Sequence, residues 1–109
     1  RYVVIPVACD YLAYRGLVLL TDTIRNIQEN LNEDLEMIGI VATFNNNTIH
    51  ARENLDQVRN NYNVIGVVST TVKAKDAIYQ GKPIVETDPN SKVAEEYKNV
   101  TKEVLSYVK

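Results

Sequence analysis

Residues 37–43 read MIGIVAT, and this stretch decides the fold. Both of its alternations are apolar, which predicts a strand buried on both faces, as in a parallel sheet covered by helices. A similar stretch, VIGVVST, follows at residues 64–70, and a third apolar run, YVVIPVA, occupies residues 2–8. The likeness of the first two fits two buried strands that converge on the same residues better than a duplication.

The segments between and after these strands show the periodicity of helices. Apolar residues at three- and four-residue steps predict helices over about residues 14–31, 50–62 and 91–107. In the first helix the predicted inner stripe is Leu17, Leu20, Ile24, Ile27 and Leu31. Residues 73–80 are expected to form a short helix closed by Gly81, and residues 82–85 an extended segment. The predicted order is therefore β-α-β-α-β-α-α, an α/β fold with right-handed crossovers.

Composition limits the class of protein. The chain has 109 residues, 45% of them hydrophobic and 24% charged, which is ordinary for one soluble domain. One cysteine excludes an intrachain disulfide, so we expect a reducing cytoplasmic location. No apolar run reaches the roughly 18 residues that a membrane span requires, and we expect no membrane partner. The net charge of −2 neither favours nor excludes nucleic acid.

The predicted sheet is small. A strand begins at residue 2 without an initiator methionine before it. Three strands are also few for a covered parallel sheet, since sheets average about five to six strands. We therefore expect residues 1–109 to form a single α/β unit that belongs to a larger domain, with further strands or another chain beside it.

Polar residues lie at or just past the end of each predicted strand: Asp10, Thr43, Asn45, Thr70 and Thr71. In a parallel sheet these positions share the carboxyl edge, where open α/β sheets bind ligands. They are therefore candidates for the edge of a pocket. The alternative, that loops simply carry polar residues, stays open from the sequence alone.

Several kinds of site are missing from the sequence. Neither G-x-x-x-x-G-K-[ST] nor G-x-G-x-x-G occurs, so the chain alone is not expected to hold the phosphates of a nucleotide. His50 and Cys9 are the only residues of their types. Metal sites and nucleophile–base pairs need partners, so we predict no metal ligands and no catalytic residues.

Basic residues accumulate near the same edge and on the helices that follow it: Arg52, Arg59, Lys73, Lys75 and Lys82. Such clusters bind phosphate backbones without reading base sequence. A solvated charged face is the simpler interpretation, and the sequence does not exclude it.

Four segments, in order, carry a resemblance to a known family. They are YVVIPVACDY at 2–11, GIVATF at 39–44, VKAKDAIYQGKPI at 72–84 and DPNSKVA at 88–94. Together they cover nearly the whole chain, which resembles the C-terminal half of ParA/Soj-type partition ATPases. The resemblance implies part of a deviant-Walker P-loop fold whose N-terminal, P-loop half is absent here.

The resemblance also implies a function. Proteins of this family use ATP with Mg²⁺, form a homodimer, bind DNA non-specifically and act with a ParB-type centromere-binding protein in plasmid or chromosome segregation. The expected location is the cytoplasm, on the nucleoid. Because the phosphate-holding half is absent, this chain alone is expected to bind no nucleotide tightly and to be inactive as an ATPase.

Particular residues follow from the family pattern. The adenine side of the pocket would be formed by Thr43, Phe44, Asn45, Ser69, Thr70 and Thr71. The family often has Ile-Pro where this chain has Val68-Ser69. DNA contacts would come from Lys73 and from Arg52, which lies one helical turn beyond the usual position of a family arginine.

Two alternatives remain at this stage. One is a free-standing receiver-like domain, although Asp10 stands without the acidic neighbours that a receiver needs for magnesium and Lys82-Pro83 follows a glycine instead of an apolar strand. The other is a degenerate α/β interaction module without nucleotide hydrolysis.

Overall fold

Strands and helices alternate in the computed structural model, which describes residues 1–70 and 72–108, and at positions 72–75 the backbone only. The elements in order are β1 (Tyr2–Ala8), α1 (Tyr11–Asn30), β2 (Glu36–Asn45), α2 (Ile49–Asn61), β3 (Val64–Ser69), α3 (Val72–Gln80), α4 (Ile84–Thr87) and α5 (Lys92–Tyr107). The predicted α/β class is confirmed, with α4 as an additional helical turn.

The described strands form a three-stranded parallel sheet in the order β1-β2-β3. The central strand β2 packs on both sides. Ile40, which is 0% exposed, joins a cluster with residues of α1 and α2, and the adjacent Val41 joins a cluster with residues of α3, α4 and α5. The prediction that residues 37–43 are buried on both faces is therefore confirmed. Each such side chain contributes about 1.5–3 kcal/mol to folding.

The third strand is less buried than its sequence suggests. Val68 is buried, whereas Val64, Ile65 and Val67 are half-buried. In the described part of the chain β3 pairs with β2 alone, so one of its sides has no neighbouring strand. This position at the edge explains why two nearly identical stretches differ in burial.

Glycines at equivalent places in β2 and β3 allow two close approaches. A Cβ atom at Gly39 would lie 2.6 Å from the carbonyl oxygen of Asn63, in the connection before β3. A Cβ atom at Gly66 would lie 2.4 Å from Cγ2 of Val100, on α5. The glycine of the shared I-G-[IV]-V pattern is thus required for a different reason in each strand, because a different neighbour packs against each glycine.

Two predicted boundaries are wrong. Helix α1 begins at Tyr11 and not near residue 14, because the Asp10 carboxylate accepts a hydrogen bond from the Ala13 backbone N–H at 2.8 Å and caps the helix. Residues 82–85 are not an extended segment. Pro83 is extended, but Ile84 turns into α4 and is buried against the cluster around Val41.

Parts of the predicted inner stripes are also wrong. Leu20 and Leu31 are exposed. The sequence also predicts Tyr97 and Val108 on the inner face of the last helix, but both are exposed, and Val108 lies one residue beyond the end of α5. Leu31 lies beyond the last helical residue of α1 with a φ of −126°, so the 3.6-residue period no longer sets its direction. The predicted stripe includes Leu31 because the sequence places the end of α1 one residue too late.

Candidate functional site

A broad groove opens at the carboxyl edge of the sheet, between the strand ends, the α3–α4 segment and α5. Its volume is about 1030 Å³ and its wall is mainly apolar. The strand-end residues that line it are Thr43, Phe44, Ser69 and Thr70, and Pro6 of β1 contributes to the floor. Four residues predicted from the sequence thus come together at one end of a single groove.

Phe44 has an unusual conformation. Its φ is +53°, in the left-handed region that bulky side chains rarely adopt, and its side chain is 60% exposed. Such a backbone costs about 1–2 kcal/mol in a residue other than glycine. A strained backbone conformation that presents an exposed aromatic ring on a groove wall is the kind of feature that function maintains.

Hydrogen bonds brace the loop after β2. The Asn45 side chain accepts a hydrogen bond from the Asn47 backbone N–H at 3.1 Å and so closes a turn. Asn45 does not line the groove. The Arg52 guanidinium donates to the Asn47 carbonyl at 3.1 Å. The Thr70 backbone N–H donates to the Asn45 carbonyl at 3.2 Å, which joins the ends of β2 and β3. The two strand-end loops therefore form one connected wall.

Sequence reasoning missed the contribution of α5. Tyr97, Lys98, Thr101 and Lys102 line the groove opposite the strand ends, and Lys82 lies on the remaining side. The pairs 97/101 and 98/102 have the four-residue spacing of one helical face. That spacing was visible in the sequence, but which face would meet the groove depends on how α5 packs on β3.

Some predicted site residues fall elsewhere. Thr71 lies outside the described residues, and so does the side chain of Lys73. Asp10 is the N-cap of α1. His50, for which the sequence predicts no role, has a 93% exposed side chain whose Nδ1 lies 4.0 Å from Oε2 of Glu53. Burial raises the pKa of the Cys9 thiol, and the nearby Asp10 carboxylate raises it further, whereas the Arg59 guanidinium opposes them. A thiol held protonated is a poor nucleophile.

The groove combines an apolar wall with polar groups at its edge. Its apolar wall and the Phe44 ring suit a flat base, and the hydroxyls of Thr43 and Thr70 are available at its edge. Among the residues that the structure describes, no carboxylate lines the groove, so it offers Mg²⁺ no acidic ligand. The wall thus suits a flat ring system, and Lys82, Lys98 and Lys102 give the groove positive charge.

Comparisons with known proteins place the chain in a family. No protein-family model matches it. It is 37% identical over 112 residues to the sporulation initiation inhibitor protein Soj of Bacillus subtilis, which covers 95% of this chain and 43% of Soj. It is 34% identical over 107 residues to the chromosome partitioning protein ParA of Myxococcus xanthus, covering 94% of this chain and 38% of ParA.

The chain belongs to the family of ParA/Soj-type partition ATPases. It matches a C-terminal part of them and spans less than half of the length of these relatives. The cell division ATPase MinD of Pyrococcus furiosus superposes with a TM-score of 0.75 at 13% identity, over 98% of this chain and 43% of MinD, which shows the same fold. Membership in this family decides against the receiver-like alternative.

No helix in the described part of the chain is both long and apolar enough to cross a membrane.

Proposed function

We propose that this chain is the C-terminal part of a ParA-type ATPase domain and supplies the adenine side of its nucleotide pocket. The observation that supports the proposal most is the convergence of Thr43, Phe44, Ser69 and Thr70 at one end of an apolar groove. Phe44 stacks on the base, and the threonine hydroxyls and the backbone of the two loops read its edge.

The phosphates and Mg²⁺ are held by other residues. The chain contains no phosphate-cradling motif, and the described groove offers no acidic ligand. Two parts of the domain would then bind ATP: this chain would contact the base, and a P-loop half would contact the phosphates. The chain alone should bind adenine nucleosides weakly and should not hydrolyse ATP.

Substitution of Phe44 tests this pocket. Phe44→Asn removes the ring while retaining a residue that tolerates a φ of +53°, so folding is preserved. Adenosine affinity should fall roughly 5- to 150-fold, since an aromatic–base stack contributes about 1–3 kcal/mol. The matched control is Ile49→Asn, because Ile49 is also exposed and near the same loop but does not line the groove. Equal affinities of the two variants would refute the pocket.

We also propose that the carboxyl edge contributes to a non-specific DNA-binding face. Arg52 is exposed at the start of α2, beside the loop after β2, and Lys82, Lys98 and Lys102 line the neighbouring groove. Lys73 belongs to the proposed face by its place in the sequence. In this account ATP-dependent homodimerisation brings two such faces together on the nucleoid, in the cytoplasm, and a ParB-type protein is the partner in plasmid or chromosome segregation.

Charge reversal tests the DNA face. Arg52→Glu and Lys73→Glu should weaken duplex binding, and each lost phosphate contact should lower the slope of log affinity against log salt by about 0.9. Arg25→Glu is the matched control, because Arg25 is also an exposed arginine but lies on α1, paired with Asp22 at 3.7 Å. Salt-insensitive binding, or equal losses in all three variants, would contradict the proposal and favour a degenerate interaction module.

A further inference from the structure

A carboxylate occupies an inner position of α5. Glu96 lies three residues after the buried Val93 and four before Val100, which packs against the cluster around Val41. At helical spacing these three side chains belong to the same stripe. A carboxylate that is half-buried among apolar neighbours costs free energy unless it is hydrogen-bonded.

Both oxygens of this carboxylate contact one residue. Ser69, the last residue of β3, donates its backbone N–H to Oε1 of Glu96 at 3.3 Å and its hydroxyl to Oε2 at 3.1 Å. The next residue, Thr70, donates its N–H to the Asn45 carbonyl. A chain of hydrogen bonds therefore runs from α5 through the end of β3 to the loop after β2.

The packing of α5 on β3 sets the distance for this contact. Gly66 has no Cβ, and one placed there would lie 2.4 Å from Cγ2 of Val100. Val100, which makes this close approach, lies one helical turn after Glu96, and Ser69 lies three residues after Gly66 along the strand. Glycine on the strand and glutamate on the helix together bring the carboxylate to the strand end.

We propose that Glu96 is a positioning residue: it fixes Ser69 and Thr70 in the geometry in which these two residues contact a bound adenine base. This inference rests on the proposed nucleotide pocket. Glu96 does not itself line the groove, and it acts through the two hydrogen bonds to Ser69.

Glu96→Leu tests the proposal, because leucine suits the apolar stripe and keeps the helix packed. Amide hydrogen exchange at Ser69 and Thr70 should rise about tenfold when the carboxylate is lost. The Ile40 amide, bonded to the Asn63 carbonyl at 2.8 Å, should be unaffected. Glu103→Leu is the matched control, because Glu103 is an exposed glutamate of the same helix.

Adenosine affinity is the second measurement. It should fall several-fold in Glu96→Leu and less in Glu96→Gln, which keeps one acceptor oxygen for Ser69. In Ser69→Ala, where the hydroxyl contact is already gone, the added effect of Glu96→Leu should be smaller than in the original chain.

The outcomes separate the two proposals. Unchanged exchange at Ser69 and Thr70 would overturn the role of Glu96, whether or not adenosine binds. Faster exchange with undiminished adenosine affinity would also overturn the role of Glu96, since its hydrogen bonds would then order Ser69 and Thr70 without contributing to adenosine binding. If the original chain binds no adenosine, the proposed pocket fails, while the exchange measurement still decides whether Glu96 holds the loop.

Discussion

Single residues explain why α5 and the β2–β3 region pack as they do. Gly66 admits Val100, and Gly39 admits the Asn63 carbonyl, so both positions exclude a side chain for steric reasons. By contrast, no other part of the described chain comes within 4 Å of the place where a Cβ of Gly16, on α1, would stand. The three glycines therefore have different consequences when replaced by the same residue.

Alanine at these positions should change stability in opposite directions. Gly66→Ala should lower the free energy of unfolding by about 1–3 kcal/mol, because the added methyl group overlaps Val100. Gly16→Ala should raise it by about 0.5–1 kcal/mol, because alanine favours the helix. Urea denaturation measures both, and Val100→Ala should make Gly66→Ala less costly. Equal effects of the two alanines would contradict the close packing of α5 on β3.

The Cys9 thiol should react slowly with alkylating reagents at neutral pH. Burial and the Asp10 carboxylate raise its pKa, so the thiolate forms only at higher pH than in a free cysteine. The rate of iodoacetamide alkylation against pH should show a midpoint above that of a cysteine peptide. Asp10→Asn should move the midpoint down and Arg59→Gln should move it up. A midpoint at or below that of the peptide would show that burial does not control the thiol.

At the scale of elements, the strands were predictable and the ends of the helices were not. Apolar runs identify all three described strands, since burial on both faces leaves an uninterrupted pattern. The sequence places the start of α1 too late because the apolar stripe begins only at Leu17, whereas Asp10 caps the helix earlier. The turn of α4 has only four residues, too few for a period to be recognised.

Loss of the Asp10 cap tests the account of α1. Asp10→Ala should lower the free energy of unfolding by about 1 kcal/mol, because the Ala13 N–H loses its acceptor. Asp10→Asn should change it little, since asparagine caps equally well. Chemical denaturation of the two variants gives the comparison. If asparagine were as costly as alanine, the charge of Asp10 and not its cap would be the important property.

At the scale of the molecule, the candidate site combines distant parts of the sequence. The strand-end residues could be predicted, because parallel strands bring their carboxyl ends to one edge. Lys98, Lys102 and Glu96 could not, because their place depends on how α5 packs across β3. The groove that the two lysines line is wide with a mainly apolar wall, and exposed apolar residues such as Leu12 and Leu19 lie on α1 as well. Surfaces of this kind are interaction sites in proteins.

The most direct test of the central claim is a titration of the 109-residue chain with adenosine and with ATP, followed by amide chemical shifts. We expect both ligands to shift the signals of Phe44, Asn45, Ser69 and Thr70, with similar affinities of about millimolar strength, since the chain binds the base and not the phosphates. Shifts confined to other residues, or an affinity for ATP far above that for adenosine, would contradict the assignment of this edge to the base.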